Sequence, residues 1–144
     1  MRAFPRRGRL TAHHARRTAT CLWLAAALWL AACSQPAAAR VEGEGWTATL
    51  EWSPQRLRSL QPVRLVLRVA DRSGRAVRLQ EVHAQADMPE MSHEPEEIRF
   101  WPAGEGTYEA AHNFSMDGRW RVRVTGRWDR TPFQATFELA VGGP

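Results

Sequence analysis

From Trp46 onward, apolar and polar residues alternate with a period of two through one segment after another. That pattern leaves little choice of fold, because only an extended strand sends every second side chain to the same face. Trp46, Ala48, Leu50 and Trp52 alternate with Thr47, Thr49 and Glu51, and Val63, Leu65, Leu67 and Val69 alternate with Arg64, Val66, Arg68 and Ala70. Asp71 to Gly74 reads as a turn, after which Val77 and Leu79 open a third strand. The phase then slips, since Val82, Ala84, Ala86 and Met88 have the opposite parity, which predicts a β-bulge around Gln80 and Glu81 or a break there between two short strands. Ile98, Phe100 and Trp101 suggest a short strand, and Pro102 to Gly106 a turn. Tyr108, Ala110, His112 and Phe114 share one face. So do Trp120, Val122, Val124, Gly126 and Trp128, and then Phe133, Ala135, Phe137, Leu139 and Val141.

About seven short strands with frequent turns predict an all-β domain, an immunoglobulin-like antiparallel β-sandwich, folding as a monomer. No segment has a helical period, and neither an internal repeat nor a phosphate-cradling glycine motif is present. Met88 to Glu97 (MPEMSHEPEE) breaks the alternation with two prolines and reads as an acidic loop. If consecutive strands run antiparallel, this loop and the turn Ser115 to Gly118 meet at one pole and gather Met88, Met91, His93 and Met116 there. A first strand starting at Trp46 would run toward that pole, so the chain would enter the domain from the opposite end.

The 144 residues carry 20 basic groups, all arginine, against 15 acids, a formal net charge of +5. The excess is local: residues 1–32 hold six arginines and no acid, and residues 33–144 are left at −1. Loss of the front segment would remove the case for a nucleic-acid partner. That segment reads as an export signal, a basic region followed by the apolar run Cys21 to Ala32, which is too short for a comfortable membrane span. It ends in Leu30-Ala31-Ala32-Cys33, which resembles the bacterial lipobox, whose cysteine is acylated and becomes the mature N-terminus. The organisation expected is a lipoprotein signal peptide over 1–32, lipidated Cys33 with a flexible tether over 33–45, and the domain over 46–142. The protein would then be exported and lipid-anchored, facing the periplasm, on the outer membrane in a Gram-negative host. Downstream of Cys33 there is no cysteine, which excludes an internal disulfide, a thiolate metal site and a cysteine nucleophile.

A soft metal would therefore have to use thioether and imidazole. Met88-Pro89-Glu90-Met91-Ser92-His93, with Met116, offers that donor set and suits Cu(I), in a site that would keep its affinity at mildly acidic pH. The same residues also read as sulfur-containing core filler beside a solvated histidine, the usual employment of methionine. Glu90, Glu94, Glu96 and Glu97 read as hydrated acids rather than hard-metal ligands. The stripe Arg119, Arg121, Arg123, Arg127 lies on one outward face, where pairing with acids such as Glu109 and Glu138 is expected. His83 and His112, isolated on strands, read as satisfied or solvated. No nucleophile motif or paired carboxylates are present, so an enzyme is not expected.

Met88 to His93, then Gly106-Thr107-Tyr108-Glu109-Ala110, then Phe114 to Val122 (FSMDGRWRV) together resemble the YtkA-like domain family, related to FixH-like proteins, over roughly residues 45–141. The resemblance implies an immunoglobulin-like, exported or membrane-attached domain linked to copper handling or haem-copper oxidase assembly. It also implies Met88, Met91 and His93 as candidate ligands, with Gly106, Tyr108, Met116, Gly118 and Trp120 as framework. In place of the transmembrane helix of FixH-like relatives, a lipid anchor is expected here. Two functions follow: an accessory that holds or delivers copper, with a periplasmic partner in metal handling or oxidase assembly, and a metal-free module that contacts an envelope partner. Apart from that choice, Gly106 and Gly118 suit turns, and Tyr108 and Trp120 suit inward aromatics bonded at the core edge.

Overall fold

A computed structural model describes residues 37–143. Cys33 and the signal segment lie outside the described residues. Nine strands form: β1 (Ala37–Glu42), β2 (Trp46–Ser53), β3 (Val63–Asp71), β4 (Gln80–Asp87), β5 (Glu96–Ile98), β6 (Trp101–Gly104), β7 (Thr107–His112), β8 (Gly118–Trp128) and β9 (Thr131–Val141). They build two antiparallel sheets, β1-β2-β3-β7-β6 and β5-β4-β8-β9, that pack as a sandwich, with no helix among the described residues.

The period-two pattern explains the core. Along β3, Val63, Leu65, Leu67 and Val69 are buried, and along β9 so are Phe133, Ala135, Phe137, Leu139 and Val141. Trp120, Phe114 and Phe137 are the largest fully buried side chains, and no charged residue is buried among the described residues. The bulge falls where the parity slip placed it: β4 pairs with β8 with a register shift between Gln80 and His83, and Glu81 takes a φ of 53°. Tyr108 ties β7 to the segment that leads into β4, its hydroxyl donating to the Leu79 carbonyl (3.1 Å) and accepting from the Leu79 amide (2.6 Å). Gly106, at φ 60°, lets the chain turn against the Val69 carbonyl, where a side chain would collide with backbone.

Three expectations are corrected. The tether assigned to 33–45 is not free of structure, because residues 37–42 form β1, which pairs with β2 from Ala37↔Trp52 to Glu42↔Thr47. Ala39 and Val41 turn toward the core, a two-residue alternation too brief to stand out within an Ala-rich stretch. The single strand expected from Ile98 to Trp101 is two strands in different sheets. Ile98 is buried opposite Ala84 whereas Trp101 is exposed opposite Glu109, so the chain crosses between the sheets at Arg99 and Phe100. Pro102 extends edge strand β6, where its missing N–H costs nothing, and the turn shrinks to Glu105–Gly106.

The third correction concerns where the chain enters, since the strand from Trp46 does run toward the methionine pole as expected. The links do alternate between poles, and Glu96 joins the two sheets at one of them by accepting from the Ser115 amide and pairing with His112. But Ala37 opposes Trp52, which opposes Leu65 near the start of β3, so β1 begins at the pole that holds residues 88–95 and 113–117. The chain therefore enters from the methionine end and not from the far one.

Candidate metal site

Asp87 ends β4 with its carboxylate held by Arg121 of β8 in a two-point ion pair of 3.0 and 3.1 Å. The hydrogen bond from Arg121 holds the Asp87 carboxyl below its usual range, with the charges of Arg121, Arg123 and His93 adding to it against partial burial. This clamp sets the point at which the loop leaves the sheet. Met88 follows, only 7% exposed, its side chain lying over Gly118 so closely that any Cβ there would strike it. The Met91 amide donates to the Met88 carbonyl (3.1 Å), closing a turn around Pro89 and Glu90 that leaves the Met91 side chain 51% exposed.

His93 then folds back onto the sandwich. Its ring centroid lies 5.4 Å from that of Trp120, which packs on Phe114 at 5.2 Å, which meets His112 edge-on at 4.8 Å. The Trp120 indole N–H donates to the Met116 carbonyl (3.0 Å), fixing the turn that carries Met116, a half-buried side chain against the core. The pole thus holds Met88, His93 and Met116 around Trp120 and Gly118, while Met91 points outward.

The two nitrogens of His93 have different fates. Nδ1 lies 2.7 Å from the Glu94 carbonyl oxygen, which can only accept, so Nδ1 carries the hydrogen. Nε2 is buried and has no hydrogen-bond partner, and among the described residues it is the one buried side-chain polar atom in that state. In the neutral ring it holds a lone pair. A metal-ligating imidazole commonly has this arrangement, one nitrogen fixed by a carbonyl and the other left to the metal.

Other predicted residues separate from the site. Glu96 binds His112 (2.8 Å) and the Ser115 amide, so it is a structural tie, and His112 is satisfied as expected. Among the described residues no three His, Cys, Asp or Glu side chains form a group that could hold a metal ion. Two arginines of the stripe form ion pairs, with acids the sequence did not single out, while of the two expected acids Glu138 faces the stripe and Glu109 does not. Arg121 binds Asp87, and Arg127 lies 3.7 Å from Glu81, both on β4. Glu109 cannot reach the stripe because β7 belongs to the other sheet, where it binds Arg64 at 2.6 Å. Glu138 stands opposite Arg121 across the β8–β9 ladder and acts on it through charge. A cleft of about 360 Å³ runs beside the loop between Pro89, Glu90, Arg119, Arg121 and Glu138. The Asp87 clamp was missed in the sequence; its signal was the outward parity of Asp87 at the end of an inward Ala84, Ala86, Met88 series.

The chain has no match among curated proteins. Among solved structures it is similar to a DUF4785 family protein from Legionella pneumophila at 8% identity, with a TM-score of 0.49 over 67% of this chain. It spans 28% of that protein's length. The model of the YtkA-like family matches residues 40–125, a stretch that contains the methionine loop, Tyr108, Gly118 and Trp120, and the chain accordingly belongs to the YtkA-like family.

Proposed function

We propose that this protein is an exported, lipid-anchored accessory that binds Cu(I) at the Met/His pole and passes it to a periplasm-facing partner, acting by binding and not by catalysis. The observation that carries this reading is His93 Nε2. A buried nitrogen without a hydrogen bond is unfavourable by about 1–3 kcal/mol, and the surrounding fold maintains it instead of relieving it. A cation ligated by that nitrogen removes the penalty. The thioethers of Met88, Met91 and Met116 arise from the same pole, and this mixture of sulfur and imidazole favours Cu(I) over Zn(II). Acylation of Cys33 at the lipobox would supply the anchor.

The second reading, a metal-free interaction module, is favoured by Met88, whose burial against Gly118 is what a core-filling methionine does. Titration of the mature chain against a competing cuprous chelator separates the two. Under the copper reading, His93→Ala weakens Cu(I) affinity by about tenfold or more, and Met91→Leu with Met116→Leu weakens it further with little change in stability. Unchanged affinity in His93→Ala would sink the site. A wild type that binds no Cu(I), with a Met88→Leu variant of lowered melting temperature, supports the interaction module.

A further inference from the structure

The pole that carries the methionine loop is also where the described chain begins. Ala37 opens β1 there, and Cys33 precedes it by four residues. Four extended residues span at most about 14 Å, so a lipid on Cys33 would leave this end of the sandwich little room to stand away from a bilayer. At this end the loop 53–62 has chemistry matched to such a neighbour, with the exposed Glu90, Glu94 and Glu97 of the methionine loop lying outside that contact. Three large apolar side chains are exposed among the described residues, and two of them, Leu60 (76%) and Met91 (51%), sit here. Leu60 is held out rigidly: its amide donates to the Phe114 carbonyl (2.8 Å), the Ser59 amide donates to the Asp117 carboxylate (3.2 Å), and the Leu60 backbone takes a φ of 60°. Holding a leucine in the left-handed region with its side chain in water is doubly unfavourable unless that side chain is wanted outside. The loop that carries it, Ser53 to Pro62, contains Arg56 and Arg58, both exposed, and no acid. An apolar tip flanked by arginines is the composition of a segment that inserts at an anionic headgroup layer. The opposite pole, made of the turns at 43–45, 72–75, 105–106 and 129–130, has no large exposed apolar side chain.

We infer that the methionine pole faces the bilayer, with Leu60, Arg56 and Arg58 seated at the headgroups of anionic lipid and the candidate metal loop beside them. This rests on the lipid-anchor part of the proposed function and is independent of whether copper binds. The full chain, expressed with its leader and reconstituted in vesicles of phosphatidylethanolamine and phosphatidylglycerol, provides the test. In an acylated, processed chain Cys33 has no free thiol and Cys21 has been removed with the leader, so Leu60→Cys, Arg58→Cys or Arg72→Cys each supplies a single site for a nitroxide label. Labels at 60 and 58 should be shielded from a water-soluble nickel chelate and exposed to dissolved oxygen, several-fold more than the label at 72, at the far pole. Equal accessibility at the two poles in chains that co-float with vesicles overturns the orientation alone. Chains that do not float at all overturn the anchor, and this orientation with it, while Cu(I) titration reports separately on the metal site.

Discussion

Tyr108 and His93 both carry a polar atom out of water, and the fold treats them in opposite ways. The Tyr108 hydroxyl is given a donor and an acceptor on the same residue, Leu79, and so ties β7 to the segment before β4. Tyr108→Phe would leave both backbone groups of Leu79 unpaired in the interior, a loss of about 1–3 kcal/mol. A thermal melt should show a Tm lower by roughly 4–8 °C for each kcal/mol lost; an unchanged melt would mean that the pair contributes nothing net. His93 instead keeps one nitrogen bonded and one bare, within an aromatic row that runs through Trp120 and Phe114 to His112. That bare, buried nitrogen makes His93 the residue on which the metal reading stands.

At the scale of elements, β1 changes what the domain is. Its six register pairs cover the edge of β2, and Ala39 and Val41 close the core on that side, beside β9. A chain begun at Trp46 would satisfy the alternation pattern yet lack these contacts and expose β2 as a free edge. We expect it to be less stable than a chain begun at Gln35 by about 1–2 kcal/mol, from the apolar area of one partly buried valine and its neighbour, and more prone to aggregate. Denaturant melts of the two chains measure the difference, and coincident curves would return β1 to the status of a tether. The pairing of the arginine stripe is decided at this scale too. Alternation along β8 placed Arg119, Arg121, Arg123 and Arg127 on one face, but it was the adjacency of β4 to β8 that selected Asp87 and Glu81 as partners.

For the whole molecule, the titration of its carboxylates sets the acid limit. The Ser73 hydroxyl, with the Arg75 amide and guanidinium, lowers Asp71 from its ordinary 3.8 to about 2, and Arg121 lowers Asp87. Folded carboxyls of this kind bind protons less readily than unfolded ones. Their contribution is therefore complete above about pH 5 and is lost as pH falls through 4 toward 2. Melting temperatures from pH 7 to 2 should be flat and then decline, and Asp87→Asn should make the decline shallower; an equally steep decline would remove Asp87 from the account. The sequence by itself determined the fold class, the inward faces of β2, β3, β7, β8 and β9, the bulge at Gln80 and Glu81, and the meeting of the methionine segments, because alternation and turn residues act within a few positions of one another. Only the tertiary structure decided that residues 37–42 pair with β2, that Ile98 and Trp101 part into different sheets, that Asp87 clamps Arg121, and that His93 Nε2 lies buried without a partner. Each of these depends on which strand lies beside which, and pairing partners distant in sequence leave no periodic trace in either segment alone.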